Sequence, residues 1–299
     1  MKILKTLVTT PVISPAGVVT VPGFHEPTGV FADFDADLLA DLPETPTRCE
    51  IVAALRQIWR PFEAYRFASP ADRGAMLAAI IGGLARAALD IAPGVLFDAP
   101  CAGSGKTKAA EALGAIILGR IAPVTPFAGV DDAELRKQVV ANAVGNYPWL
   151  LLDNVQGHYD SSVMGALLTG RSLRDRVLGS SANFEGAVSA TVVLTSNNAS
   201  LSRDLHRRFI RVRIDTGVAQ PQALEFSFEP VERALTERLA IVRAVCVVVQ
   251  AFFAAGHPRL GRGDAGYPAW SRLVRDCVLW IEREGFARVR CGADGEPLD

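Results

Sequence analysis

"DAPCAGSGKT", residues Asp98 to Thr107, sits between the apolar run "PGVLF" and the helix-forming stretch "KTKAAEALGAIILG". Its second half, Gly103, Ser104, Gly105, Lys106 and Thr107, matches the phosphate-contacting end of a phosphate-binding loop. Glycines there let the backbone approach phosphate oxygens, and the N–H groups at the start of the following helix point at them. Lys106 is placed to reach β and γ phosphates, and Thr107 to offer its hydroxyl to Mg2+. The first half departs from G-x-x-x-x-G-K-[ST], because Pro100 stands where the first glycine is expected. Proline has no N–H to lose at that point and stiffens the exit from the strand.

Downstream, two more apolar runs end in polar tips. "PWLLLDN" reads as a buried parallel strand ending in Asp153 and Asn154. A carboxylate at the carboxyl end of such a strand lies at the sheet mouth, where ligands bind and where it would hold Mg2+. Asn154 is not a base, although its amide can orient a water; His158 and Asp160 follow closely as alternative bases. "TVVLTSNN" ends in Thr195, Ser196, Asn197 and Asn198, with Asn197 the candidate to contact a γ-phosphate or an attacking water. Arg207 and Arg208, ten residues on, end a short helix and are candidates to reach a neighbouring subunit's phosphate; a solvated basic helix end is the competing reading.

Outward from these motifs the chain divides into four segments. Residues 1–47 read as short β segments with Pro and Gly at the bends, closing in the linker "LPETPT". Residues 48–91 are helical, with Ser69-Pro70 as an N-cap followed by proline at the first helical position. Residues 92–226 alternate strands and helices, as a parallel α/β sheet does, with "FIRVRID" as an edge strand. Residues 227–299 are helical again. The apolar runs around Arg86 and Arg243 are short for a bilayer span and read as buried helices. No internal repeat is present.

The 299 residues carry a net charge of −1 and 49% hydrophobic residues, so the chain is globular and not a strongly basic nucleic-acid binder. None of the five cysteines forms a CxxC pair or has histidine at zinc-ligand spacing, and they read as reduced cytosolic thiols. The N-terminus makes a poor signal peptide, since its apolar run is broken by Thr and Pro.

In order, "GSGKT", "LLLDN", "LTSNN" and "DLHRRFIRVRID" resemble the motifs of the AAA+ ATPase core: Walker A, Walker B, sensor 1 and arginine finger. The chain further resembles the helicase part of primase-helicases from phages and mobile elements, related to superfamily-three helicases. In those proteins a small helix, a "TG…DR.LG" stretch and a β-hairpin separate the second and third motifs; here the segment reads "ALLTGRSLRDRVLGSSANFEGAVSATVVLTSNN". The resemblance implies an α/β P-loop core with a parallel sheet, an ATPase using ATP and Mg2+, and a ring, a hexamer by this analogy, with ATP between subunits. It implies DNA, taken as single-stranded, in the central pore, with the hairpin region near Arg171, Arg174 and Arg176 facing that pore or the neighbouring subunit; a solvated helix face is the competing reading. The shortness of the apolar runs separately argues for no membrane partner. No primase motif precedes the core, so a primase would act in trans. An ATP-binding switch with little hydrolysis is the alternative, and Asn154 favours it; a small-molecule kinase has no use for the sensor and finger candidates.

Overall fold

In the computed structural model the run Gly94–Ala99 forms a strand buried along its whole length, the second in a five-stranded sheet. The residues described are 4–127, 131–176, 183–218, 228–262, 266–286, 289–291 and 297–298.

The chain opens with five three-residue strands, β1 (Thr6–Val8), β2 (Val12–Ser14), β3 (Gly17–Val19), β4 (Gly23–His25) and β5 (Val30–Ala32). They make a small sheet of order β1-β5-β4 and a β2-β3 hairpin, which is the expected N-terminal β segment. Thr47 then starts α1 (Arg48–Trp59) through a capping box with Glu50. Ser69 caps α2 (Pro70–Ala85) by accepting the Asp72 N–H, with Pro70 at the first position as the sequence suggests.

Next come β6 (Gly94–Ala99), α3 (Lys106–Leu118), β7 (Thr125–Pro126), α4 (Asp132–Val144), β8 (Trp149–Val155), β9 (His158–Tyr159), α5 (Ser162–Thr169), β10 (Leu173–Arg176), β11 (Asn183–Gly186), β12 (Thr191–Asn197), β13 (Ser200–Leu201), α6 (Arg203–His206) and β14 (Phe209–Arg213). The sheet order is β14-β6-β12-β8-β7, every pairing is parallel, and β14 is an edge strand as its alternation suggests. β12 therefore lies between the loop-bearing β6 and β8, so the polar tips of all three meet at one end of the sheet. Apolar side chains alternate between two packed faces: Val95 and Phe97 join a cluster with α2, α3 and the C-terminal helices, and Leu96, Leu152 and Leu194 join one with α4 and α5.

The C-terminal region is α7 (Pro230–Thr236), α8 (Arg238–Ala254), and α9 (Pro268–Trp270) running through a π-helical turn into α10 (Asp276–Glu284). It ends in the short β15 (Arg290–Cys291) and β16 (Pro297–Leu298). Among the described residues no helix is long and apolar enough to cross a membrane.

The expectation of five free thiols needs correction. Cys49 in α1 and Cys291 in β15 are joined in a disulfide across a sequence separation of 242, while Cys101, Cys246 and Cys277 are free. Local spacing patterns test only near neighbours, and two lone cysteines this far apart meet only through the fold.

Candidate nucleotide site

Gly103 and Gly105 hold the loop with φ of 78° and 82°, left-handed values that favour glycine. Gly105 is also the N-cap of α3 and supplies no side-chain cap, so the first N–H groups of the helix stay open toward the loop. Ser104 is buried, and its Oγ has no hydrogen-bond partner among the described residues. Lys106 is 8% exposed and makes no ion pair or hydrogen bond among them. Burial pushes its ammonium below its ordinary pKa, with Asp153 and then Asp98 opposing the shift. Buried polar groups are normally paired, and an anion in the loop would give both side chains a partner.

The second and third motifs converge on this loop. Thr107 Oγ1 donates to Asp153 Oδ1 at 2.9 Å, and Thr195 Oγ1 donates to the same oxygen at 2.6 Å. Asp153 Oδ2 accepts no hydrogen bond among the described residues. The hydroxyl and carboxylate are hard oxygen donors of the kind Mg2+ takes, with phosphates and water completing its shell. No group of three or more His, Cys, Asp or Glu side chains placed to hold a metal occurs among the described residues.

Asn154 has φ of 68°, and its N–H donates to Thr195 Oγ1 at 2.9 Å. The register between β8 and β12 shifts there, so that Asp153 and Asn154 together oppose Thr195. The side-chain amide of Asn154 makes no hydrogen bond among the described residues. Asn197 ends β12 opposite Ala99, and its buried Oδ1 is likewise without a partner. His158 is exposed and contacts Ser200 Oγ at 3.0 Å; no hydrogen bond joins His158 or Asp160 to Asp153 or Asn154.

Arg207 and Arg208 lie at the other end of the sheet. The Gly94 N–H, where β6 starts, donates to the Arg208 carbonyl at 2.9 Å. The six residues of β6 put about 17 Å between that end and the loop, farther than an arginine side chain reaches. Both guanidinium groups pair with Asp204, but the Arg207 side chain is 72% exposed, whereas Arg208 is 16% exposed and also donates to the Gly165 carbonyl.

Arg171, Arg174 and Arg176 are exposed. β10 and β11 form an antiparallel hairpin between the second and third motifs, and alternation puts Arg174 and Arg176 on one face of β10. Arg174 Nε lies 3.6 Å from Glu185, and Asp175 is held by Arg136 of α4.

The loop entrance holds a polar cluster that the motifs do not announce. Asp98 is fully buried, and its Oδ2 takes guanidinium donors from Arg211 and Arg213 while Oδ1 takes Ser196 Oγ and the Asn198 N–H. Burial alone would raise the Asp98 pKa and is the largest single effect, but the bonds from Arg211 and Ser196 and the Arg211 charge outweigh it, holding the carboxyl below its ordinary value. The signals in the sequence are an acid inside the apolar "VLFDAP" and the i, i+2 arginines of "RVR". Tyr65 is also at the loop: its hydroxyl donates to the Gly105 carbonyl at 3.2 Å. Burial, then Glu229 and Glu111, pushes its phenol upward.

No family model and no curated protein matches the sequence. Among solved structures, the apo A-form structure of the NrS-1 C-terminal region is similar over 73% of this chain and 49% of its own, with a TM-score of 0.42 and 15% identity. JCV helicase is similar over 83% of this chain and 69% of its own, with a TM-score of 0.34 and 16% identity. An inhibitor-bound JCV helicase gives the same coverage, a TM-score of 0.33 and 17% identity. The chain thus spans about half the length of the first of these structures. The fold itself is a five-stranded parallel sheet with helices packed on both faces.

Proposed function

We propose that this chain is an ATP-driven DNA translocase of the AAA+ type, working as a ring, a helicase used to replicate a phage or mobile element. The observation that carries the proposal is the meeting of the Thr107 and Thr195 hydroxyls on Asp153, beside a buried Lys106 that has no ion pair among the described residues. Gly103, Ser104 and Gly105 wrap the phosphates, and Lys106 neutralises their β and γ oxygens. Thr107 and Asp153 hold Mg2+, which when bound screens the charge of the transferring phosphoryl group. Asn197 and Asn154 hold the attacking water in line.

Arg207, exposed and about a strand's length from its own loop, acts on the site of the adjacent subunit, while Arg208 braces α6 against Gly165. Single-stranded DNA contacts Arg171, Arg174 and Arg176, and a separate primase supplies primers. A second reading, a ring that binds ATP as a switch and barely hydrolyses it, is favoured by Asn154, which is no base at neutral pH.

Turnover of ATP with and without single-stranded DNA, in the wild type and in Lys106→Ala, separates the two. The motor reading expects DNA-stimulated turnover that the variant loses. Tight ATP binding without turnover would establish the switch.

A further inference from the structure

Pro100 opens the nucleotide loop with a carbonyl and no N–H. That carbonyl accepts from Asn198 Nδ2 at 3.0 Å. The other end of the same amide, Asn198 Oδ1, accepts from Arg213 Nη2 at 2.9 Å. Arg213 Nη1 donates to Asp98 Oδ2 at 2.6 Å, and the Asn198 N–H returns to Asp98 Oδ1 at 2.9 Å. Asp98 of β6, Arg213 of β14 and Asn198, the residue just past β12, therefore form a closed ring, with one spur to the first residue of the loop. Asn198 is exposed, but the ring is anchored below by a carboxylate with no solvent contact. Its φ of 54° lies in the left-handed region, which Asn, Asp and Gly tolerate best.

We propose that Asn198 is a positioning residue for nucleotide binding: held by Arg213 and Asp98, it fixes the entrance of a loop that lacks its first glycine. A glycine there would let the chain find its path by backbone freedom. Here a proline limits that freedom and a side-chain clamp sets the direction. The Asn198 neighbour in β12 is Asn197, so the same clamp holds the backbone from which the γ-phosphate candidate projects.

The proposal rests on the nucleotide-binding reading above, and its test separates the two. Asn198→Gly keeps the backbone angle and removes both amide bonds. Asn198→Asp keeps the acceptor for Arg213 and loses the donor to Pro100. Amide hydrogen exchange in the nucleotide-free protein is expected to quicken about fivefold at residues 101–105 in both variants, with β8 unchanged. The ATP Kd is expected to rise about fivefold in both. Unchanged loop exchange in Asn198→Gly overturns the clamp, whether or not the protein binds ATP. Faster loop exchange with an unchanged ATP Kd overturns the positioning role. A wild type that binds no ATP sinks the nucleotide reading, and with it the positioning role, leaving the exchange result to report the clamp alone.

Discussion

Asn154 combines two facts that only the structure joins: an amide in place of a base, and a left-handed backbone at a bulge. A residue with a β-carbon and no compensating polar group costs roughly 1–2 kcal/mol in that conformation. Asn154→Gly is therefore expected to keep its melting temperature and ATP affinity, while Asn154→Ala loses roughly 1 kcal/mol. If the amide holds the attacking water, both lose about a hundredfold in turnover. Turnover kept by Asn154→Gly would remove the amide from the mechanism. Asp98 gives a pH prediction. Its folded pKa lies below the ordinary value, so the unfolded chain takes up a proton first as pH falls. The stability it contributes is complete above the ordinary carboxylate pKa of 3.8 and is lost as pH falls through the folded value. Asp98→Asn strands two arginines and is expected to cost roughly 2–3 kcal/mol at neutral pH, below the figure for a fully buried pair because Arg211 is half exposed. Melting temperatures between about pH 2 and pH 6 check this: the wild type should approach the variant at the acid end. The loop from Gly103 to Thr107 was legible because its motif is local. The Asp98 cluster was not, because its arginines are more than a hundred residues away in sequence and meet it only through the register of β14 on β6.

At the scale of elements, the buried parallel strands were the easiest to read, since each is a continuous apolar run between turn signals. Helix breaks were harder. The run after Phe228 looks like one helix but divides at Glu237 into α7 and α8, and nothing in its composition marks the division. Arg86, read as lying within a helix, is in a 3-10 helical turn, Arg86–Ala88, that continues directly from α2, and there it donates to the Leu89, Val188 and Ala190 carbonyls. Burial lowers its pKa to about 10, which leaves it charged at neutral pH. That anchors the approach to β12, a long-range role that periodicity cannot show. The β10–β11 hairpin carries a prediction of its own. Arg174 and Arg176 share a face and stand exposed, with Arg174 paired only to the equally exposed Glu185, so both are accessible to a phosphate. Replacing both with Ala should weaken single-stranded DNA binding alike for all sequences. It should also reduce the slope of log affinity against log salt by about 0.7 for each phosphate left without its arginine. Fluorescence anisotropy over a salt series measures that slope. An unchanged slope would take the hairpin out of DNA binding.

Across the whole molecule one apolar cluster runs from Ile13 through Phe97 and Val245 to Phe286, so the β-rich opening, the sheet and the C-terminal helices share a core. The Cys49–Cys291 disulfide ties the beginning of that arrangement to its end. Cross-linking residues this far apart removes many open conformations from the unfolded chain, and native disulfides of this kind contribute roughly 2–4 kcal/mol. Under a reductant the melting temperature is expected to fall by several degrees. Cys49→Ala should fall as far, and should then be insensitive to the reductant, because the four remaining cysteines, Cys101, Cys246, Cys277 and the released Cys291, hold no disulfide to lose. Thiol titration of the denatured, unreduced protein gives an independent check: three reactive thiols are expected, and five would show that the cross-link does not form. The cross-link also bears on the site. Gln57 of α1 donates to Glu237, where α7 meets α8, and Lys108 of α3, next to Thr107, pairs with Glu229 at the start of α7. Loosening the cross-link at α1 therefore has two routes to the nucleotide loop, through α7 and α3 and through Tyr65, which follows α1 and donates to the Gly105 carbonyl. A drop in stability with an unchanged ATP Kd would show that these routes are stiff enough to isolate the site from the chain ends.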